Sequence, residues 1–380
     1  MRVALQNKSM EPGSSTPALH RWMWHHHIDM PLLLGLLTVV SVGLFILYSA
    51  AGQDMGQIGK QSVRFIIGFI ILYVTAQISP SSLRRWTPKL FIAGILTLLA
   101  VLFFGDIGKG AQRWLNLGFI RFQPSELIKL IVPMMVAWYL AEKPFPPRFR
   151  HILACAIIIA IPCLLVARQP DLGTALLIAS AGVFVLFLAG ISWNILFGSA
   201  ATAVMLAYPL WHYALKDYQR SRILTFLNPE NDPLGTGYHI IQSKIAVGSG
   251  GIYGKGWLNG TQSQLDFLPE RTTDFIFAVF SEEFGLFGGL VLLTFYLFII
   301  IRGLYIATQA QDSFSRLLAG SLSLTFFVYI FVNIGMVIGL LPVVGVPLPL
   351  VSYGGSSIVT LMAGFGILMS IHTHRKMISP

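Results

Sequence analysis

Charged side chains are scarce in this sequence. Only 11% of the 380 residues are Asp, Glu, Lys or Arg, whereas soluble domains carry about 25%. So few charges exclude a soluble globular enzyme and a disordered chain. They also exclude a basic nucleic-acid-binding face, despite a net charge of +10, so we expect no nucleic-acid partner. Apolar residues make up 55%, a composition typical of a polytopic membrane protein.

Cysteines and familiar cofactor motifs are equally sparse. The two cysteines, Cys155 and Cys163, fall within one apolar run, which excludes a disulfide scaffold and favours packing inside a membrane helix. No Walker loop, zinc-ligand spacing, dinucleotide glycine motif or Ser-His-Asp pattern is visible. No cofactor is therefore required by the sequence.

Long apolar segments dominate the chain. A spanning helix needs about 20 mainly apolar residues, and this predicts an all-α polytopic membrane protein with about ten transmembrane helices and one long extracytoplasmic loop. An even number of spans places both termini on the same side. The predicted segments run roughly over 31–50, 63–79, 87–104, 124–140, 151–167, 172–189, 191–213, 275–301, 316–341 and 350–371.

The distribution of Lys and Arg predicts the orientation. Outside the long loop, these residues concentrate in the segments that share a side with the N-terminus. The positive-inside rule then places both termini in the cytoplasm. Residues 1–30 form a polar cytoplasmic lead, 31–374 form the membrane domain, and the loop over about 214–274 faces outward.

The long outer loop is the one large non-membrane feature. Loops of this length in compact folds are usually functional or disordered. Its many aromatic and apolar side chains argue against disorder. Within it, Tyr238–Val247 is predicted to form a short amphipathic helix on the bilayer surface.

Two charged residues open the fourth apolar segment. Glu126 and Lys129 follow Pro124, and their i, i+3 spacing places them on one helix face, where they can pair. Ionisable groups at such positions are costly and so are functional candidates. Either they form a structural ion pair or they line a polar cavity.

Two aspartates stand where apolar segments begin. Asp171 precedes the sixth segment and Asp274 the eighth. Each aspartate is either a helix N-cap or a site residue. Further along the eighth segment, Glu282 projects within about 80° of Asp274 and Glu283 to the opposite side at about 100° per residue. We expect one of these two glutamates to face the bundle interior.

Two further stretches map to the outer face. Trp114, in the loop between the third and fourth segments, is either an interfacial anchor or part of a site. The connection Leu341–Ser356 contains three prolines and several glycines, which predicts a re-entrant or broken segment surrounded by protein or water. These candidates share one membrane face, a clustering that favours function.

Several of these strings together resemble the SEDS family (shape, elongation, division and sporulation). They occur in order across about residues 45–374, and the stretch Tyr238–Ala246 resembles the elongation branch more than the division branch. The matching pieces are Lys109–Trp114, Arg121–Glu126, Gln169–Thr174, Asp232–Lys244, Gly248–Gln264, Phe267–Phe277 and Val343–Ser356.

This resemblance implies a ten-helix peptidoglycan glycosyltransferase of the inner membrane. It would polymerise lipid II outside the membrane for lateral wall growth and rod shape. Its expected partners are a class B penicillin-binding protein, which is a transpeptidase, and other elongation-complex proteins. The family's essential aspartate falls on Asp274, its sensitive tryptophan on Trp114, and its central-cavity charges on Glu126, Lys129 and Asp171.

The implied chemistry is a single inverting displacement that forms a β-1,4 bond and releases undecaprenyl pyrophosphate. Asp274 would deprotonate the acceptor hydroxyl, and cations would stabilise the leaving group. A divalent cation such as Mg²⁺ could share that role. Candidate cations are Arg113, Lys129, Arg168, Arg220, Arg222, Lys244 and Arg271, and Trp114, Glu126, Asp171 and Glu282 are the further candidates for the substrate cavity.

Two other functions fit the same residues. A lipid II flippase would also place charges near the membrane midplane, but it needs them accessible from both faces in turn. A non-catalytic scaffold of the elongation complex would retain its function in Asp274→Asn. The clustering of the candidates on one face favours the enzyme.

Overall fold

The structure is a computed structural model. It describes residues 26–108, 111–116, 121–214, 217–232, 235–265, 267–268 and 270–374. Most of the predicted N-terminal lead, residues 1–25, lies outside these ranges, as does Lys109.

A helix lies within every predicted membrane segment, but the ninth ends at Val337 and the tenth begins at Ser356. Of two single turns, the wider Leu210–Ala214 directly follows the helix that ends at Pro209, and the tighter Pro229–Asn231 lies in the predicted outer loop. In chain order the described elements are α1 (Met30–Ala50), α2 (Met55–Ala76), α3 (Pro80–Phe104), β1 (Asp106–Gly108), β2 (Ala111–Asn116), β3 (Arg121–Phe122), α4 (Pro124–Leu140), α5 (Phe149–Arg168), α6 (Leu172–Leu188), α7 (Trp193–Pro209), α8 (Asp217–Leu227), α9 (Thr236–Ser249), α10 (Thr261–Gln264), α11 (Ile276–Gln309), α12 (Ser313–Val337) and α13 (Ser356–Thr373).

The chain is therefore a helical membrane protein, as predicted. Among the described residues, seven helices are long and apolar enough to cross a membrane, namely α1, α2, α3, α5, α11, α12 and α13. The total of ten spans stays a prediction. Helix α9 confirms the helix predicted over Tyr238–Val247, and its position on the bilayer surface stays a prediction.

Capping residues explain why two helices begin earlier than hydropathy indicates. Helix α2 begins at Met55 because Asp54 accepts a hydrogen bond from the Gly56 backbone N–H at 2.8 Å. Helix α3 begins at Pro80, where Ser79 accepts from Ser82 N–H at 3.4 Å. In both cases a capped polar turn precedes the apolar stretch, which a hydropathy window cannot detect.

The apolar core centres on α12 and α13. In the most apolar window of each, 72% of residues are buried, against 22% in α2 and in α3. The latter two therefore present most of their apolar side chains outward, as expected of lipid-facing helices. Helix α1 approaches the segment before α13 closely, and this approach requires a glycine. A Cβ on Gly43 would lie 2.5 Å from the Leu350 carbonyl oxygen.

The connection between α3 and α4 differs from the predicted loop. Strands β1, β2 and β3 form a small antiparallel sheet in that order, and Trp114 lies on β2 opposite Asp106. The sequence analysis placed this stretch in a connecting loop and did not predict the strands, because three strands this short show no clear alternation of polar and apolar residues. The sheet holds Arg113 and Trp114 on a strand above the helices.

Helix α11 is interrupted at Gly285, whose backbone is left-handed (φ 63°). The glycine-rich part of the outer loop pairs with this interruption: Lys255 N–H donates to the Glu282 carbonyl and Gly256 N–H to the Glu283 carbonyl, both at 3.0 Å. The outer loop thus folds back over the start of α11. Both glutamates are consequently buried, whereas the helical projection alone predicted one.

Candidate active site

Asp274 lies in the turn that enters α11, and three hydrogen bonds fix the backbone of this turn. Its carbonyl oxygen accepts a hydrogen bond from Asn333 Nδ2 at 2.9 Å. The preceding carbonyls of Thr273 and Thr272 accept from Ser352 Oγ at 2.6 Å and from the Tyr353 N–H at 2.8 Å. These bonds fix the turn against α12 and against the irregular segment that precedes α13.

Asn333 is a central support that the sequence analysis missed. It is fully buried on α12, and its Nδ2 also donates to the Val346 carbonyl at 2.8 Å. One amide group therefore ties the Asp274 turn to the segment over 338–355. A single Asn within an apolar span was the available signal, since buried polar groups need a partner.

The segment over 338–355 matches the predicted broken segment. It contains no helix, and Val346, Leu348 and Leu350 are buried within it. A Cβ on Gly345 would lie 3.5 Å from Asp274 Oδ2, and Gly345 has a φ of +74°. Glycine therefore suits the left-handed backbone, and the half-buried carboxylate lies at ordinary van der Waals distance from that position.

Helix α2 supports this segment from the other side, through residues that the sequence analysis did not single out. The buried Gln61 donates from Nε2 to the Ser352 carbonyl at 3.2 Å. The Arg64 guanidinium lies 4.3 Å from the centre of the Tyr353 ring, a favourable cation–π distance. Gln61 and Arg64 thus contact Ser352 and Tyr353, and these two residues in turn donate hydrogen bonds to the backbone of the Asp274 turn.

Asp171 and Arg113 come together, as their shared outer position indicated. Arg113 Nε lies 3.4 Å from Asp171 Oδ2, and the guanidinium donates to the Pro170 carbonyl at 2.9 Å. Asp171 also caps α6 by accepting from the Thr174 N–H at 3.2 Å. The N-cap interpretation of Asp171 is therefore confirmed, and the capping residue also lines a cavity.

That cavity has a volume of about 140 Å³. It lies between the start of α6, helix α8 and the segment that precedes Gly345, so it adjoins the surroundings of Asp274. Its lining includes Arg113, Asp171, Gln219, Arg222, Val343 and Val344, and among the described residues it does not include Arg168, Lys244 or Arg271.

Glu126 and Lys129 pair as predicted. The Nζ–Oε1 distance is 2.7 Å and both side chains are at least nine-tenths buried. Lys129 Nζ also lies 5.1 Å from the centre of the Tyr329 ring. A second, smaller cavity of about 30 Å³, between α4, α12 and α13, is lined by Lys129 and Tyr329 among mainly apolar side chains. The pair is thus an interior ion pair beside a narrow cavity.

Among the described residues, three other predicted cations line neither cavity. Arg168 is exposed at the end of α5. Lys244, on α9, reaches the end of α12, where a Cβ on Gly339 would lie 2.6 Å from its Nζ. Arg271 is half-buried, and its Nη2 lies 3.7 Å from the position of a Cβ on Gly52. Trp114 is half-buried on β2.

Glu282 is engaged by the outer loop. Its carboxylate accepts from Lys255 Nζ at 2.7 Å, Thr261 Oγ1 at 3.0 Å and the Gln262 N–H at 3.1 Å. The neighbouring Glu283 accepts from Ser49 Oγ. Glu282 therefore binds the glycine-rich loop to α11 and fixes the position of that loop.

His239 is a further neighbour of the Asp274 turn. Its ring stacks on Phe275, the residue after Asp274, with centroids 5.9 Å apart. Burial lowers the pKa of His239, and Glu270 and Asp232 partly offset that by raising it. The imidazole is therefore neutral at pH 7 in the folded protein. The sequence offered only an isolated histidine.

No group of three or more His, Cys, Asp or Glu in the described ranges is arranged to hold a metal ion. The carboxylates of Glu126, Asp171 and Glu282 accept hydrogen bonds from protein groups or pair with Arg or Lys.

Comparison with known proteins agrees with the family resemblance. The family model FTSW_RODA_SPOVE, described as "Cell cycle protein", matches residues 21–377. The chain is 56% identical over 354 residues to the peptidoglycan glycosyltransferase MrdB of Escherichia coli K12, covering 93% of this chain and 95% of that protein.

Solved structures agree with this result. A chain in a structure described as "Structural coordination of polymerization and crosslinking by a peptidoglycan synthase complex" superposes with a TM-score of 0.80 at 31% identity, covering 92% of this chain and 98% of that one. The rod shape determining protein RodA of Thermus thermophilus superposes with a TM-score of 0.70 at 27% identity, covering 92% and 98%.

Proposed function

The chain belongs to the FtsW/RodA/SpoVE family, and we propose that it transfers glycosyl groups at the site around Asp274. It is a multi-pass membrane protein and a peptidoglycan glycosyltransferase of cell-wall elongation. The similarity to a named glycosyltransferase over most of the chain favours this activity over lipid II transport and over a purely structural scaffold.

The proposed substrate is lipid II, polymerised into β-1,4-linked glycan strands on the outer face of the inner membrane, with both termini in the cytoplasm. The proposed partner is a class B penicillin-binding protein that crosslinks the strands, within a larger elongation complex. The similarity to a chain of a peptidoglycan synthase complex supports such a partner.

The fixed position of Asp274 is the observation that carries the proposed mechanism. Asn333, Ser352 and Tyr353 hold the backbone of its turn, while its carboxylate approaches Gly345 at the edge of the cavity. A base held on a rigid backbone can be aligned with an acceptor hydroxyl, and such alignment is a large part of catalysis.

The proposed step is one displacement. The acceptor 4-hydroxyl oxygen bonds to the donor sugar C1 while its proton passes to the Asp274 carboxylate. The bond between C1 and the phosphate oxygen breaks, and its electron pair leaves with undecaprenyl pyrophosphate. Positive charge near that oxygen lowers the barrier because it stabilises the charge that develops.

We propose that Mg²⁺ binds together with the diphosphate of the substrate. Because the described residues form no resident metal cluster, Mg²⁺ would accompany the diphosphate. Its contribution to the reaction is measured by comparing polymerisation in EDTA with polymerisation in added Mg²⁺.

Strand synthesis from labelled lipid II tests the proposed function. Purified protein is assayed with its class B partner, whose transpeptidase is blocked with a β-lactam. Wild type should make polymer and Asp274→Asn should make about 10²–10⁴-fold less. Asp312→Asn is the matched control, because Asp312 only caps α12 through the Ser315 N–H and Asn caps equally well. Equal polymer from wild type and Asp274→Asn, at equal folding and partner binding, would refute the role of Asp274.

A further inference from the structure

We infer that the cavity between β2, α8 and the Val343–Val344 stretch binds the diphosphate of the prenyl-linked leaving group, through Arg113 and Arg222. This inference rests on the proposed function and assigns the leaving-group site within it. The sequence offered seven candidate cations, and the cavity selects two of them.

The charge of the cavity suits an anion. Its ionisable lining residues in the described chain are Arg113, Arg222 and Asp171, which gives a net charge of +1. Two planar guanidinium groups from different elements present fork-shaped donors, the geometry that matches phosphate oxygens. Asp171 orients the Arg113 guanidinium through their ion pair, in which Nε and Oδ2 are 3.4 Å apart.

Both guanidinium groups are positioned by the backbone. Arg113 donates from Nη2 to the Pro170 carbonyl at 2.9 Å, and Arg222 donates from Nη1 to the Val343 carbonyl at 3.3 Å. Each bond takes one of the five N–H groups of a guanidinium. The arrangement thus orients the two side chains and leaves them capacity to donate to a ligand.

Size and access also fit. A cavity needs about 10–15 Å³ to admit one water molecule, so about 140 Å³ admits a group of several non-hydrogen atoms. Arg222 is exposed, which leaves the cavity open to a ligand that arrives from outside. The buried Gln219 adds an amide to the lining.

The location relative to Asp274 matches an inverting displacement. Val343 and Val344 line the cavity, and the next residue, Gly345, is the one that Asp274 Oδ2 approaches. A donor whose diphosphate sits in the cavity would have its sugar beside this stretch of backbone. The leaving group and the base would then lie beside adjacent residues of this stretch, so both could reach the donor C1.

Arg220 is a matched control on the same helix. It stands two residues before Arg222 on α8, and it donates to the Trp211 and His212 carbonyls at 2.9 and 2.8 Å. It is not part of the cavity lining in the described chain. Loss of Arg220 should therefore leave diphosphate binding unchanged, while loss of Arg222 should not.

Binding of farnesyl diphosphate to the full-length chain in lipid nanodiscs tests the inference without catalysis. Arg222→Gln should raise the Kd about 10- to 100-fold, as expected for lost hydrogen bonds to a charged group. Arg222→Lys should fall between wild type and Arg222→Gln, and Arg220→Gln should bind as wild type. Arg113→Gln should also weaken binding, but it removes the ion-pair partner of Asp171 and can disturb folding. The inference is therefore tested at Arg222, which is exposed.

Three results would overturn the inference: unchanged binding in Arg222→Gln, an equal loss in Arg220→Gln, or equal affinity of wild type for farnesyl diphosphate and farnesyl monophosphate. Inorganic pyrophosphate separates two sources of the anion. It should compete more weakly than farnesyl diphosphate, and equal affinity would mean that the site takes a free anion and not a leaving group.

Asp274→Asn separates this inference from the proposed function. It should bind farnesyl diphosphate as wild type while making about 10²–10⁴-fold less polymer. If it makes polymer at the wild-type rate, the role of Asp274 fails while the binding result for Arg222 stands.

Discussion

Asn333 supplies a quantitative test of how the Asp274 turn is held. Its side-chain nitrogen bonds the carbonyls of Asp274 at 2.9 Å and Val346 at 2.8 Å from a fully buried position. Asn333→Ala removes both N–H donors and leaves the Asp274 and Val346 carbonyl groups without this partner. Each stranded buried group costs about 1–3 kcal/mol, so the turn and the Gly345 segment should separate or shift to find other partners.

The expected consequence is a loss of rate with little loss of substrate binding. A misplacement of about 1 Å costs about 10²-fold in rate, and Asn333 itself is not among the described residues that line the diphosphate cavity. The strand-synthesis rate of Asn333→Ala should therefore fall about 10- to 100-fold at saturating lipid II, with a KM within about 3-fold of wild type.

Ser323→Ala on the same helix is the control. Ser323 is also buried, but its hydroxyl donates to the Ala319 carbonyl of its own helix at 2.8 Å, so its loss should cost about 1 kcal/mol of stability and leave the rate unchanged. Thermal unfolding checks that both variants fold. A folded Asn333→Ala with the wild-type rate would refute the idea that this amide positions Asp274.

Three further outcomes follow from the same geometry. Gly345→Ala should lower the rate at least 10-fold, because the added methyl meets Asp274 Oδ2 at 3.5 Å on a backbone with φ +74°; a wild-type rate would contradict this. Glu282→Gln should release the glycine-rich loop by weakening its bond to Lys255 Nζ, seen as faster proteolysis at 250–264, whereas unchanged proteolysis would argue against the fastening. For His239, burial lowers the pKa below 6.5, so the unfolded chain takes up the proton first and stability should fall as pH drops below 6.5. His239→Gln should flatten that dependence of the melting temperature between pH 7 and 5.5, and an unaltered slope would assign it to other groups.

The helices were predictable because membrane segments carry a strong and local signal. About 20 apolar residues in succession have few alternatives to a helix in a bilayer. The polar first turns of α2 and α3 were missed because capping, and not hydropathy, sets those boundaries. The break in α11 at Gly285 was missed because it depends on the outer loop pairing with it, and that contact is not encoded in either stretch alone.

The candidate site was partly predictable for a similar reason. Asp171, Asp274 and the Glu126–Lys129 pair were recognisable because charges at the edges of apolar segments are conspicuous. Asn333 and Gln61 are neutral; the single Asn in an apolar span is a weak signal, and neither residue type indicates which backbone group it will bind. The meeting of Arg113, Arg222 and Val343 required tertiary structure, since these residues come from three distant parts of the chain.

The pH dependence of a single turnover tests the central claim, that Asp274 removes the acceptor proton, most directly. Wild type and Asp274→Asn are loaded with labelled lipid II, and the rate of the first bond is followed as pH is raised. Wild type should show a rate that rises with pH through the ionisation of one group and then levels off. In Asp274→Asn the residual rate should be at least 10²-fold lower and should lack that rise. The same rising profile in Asp274→Asn would show that another group takes the proton.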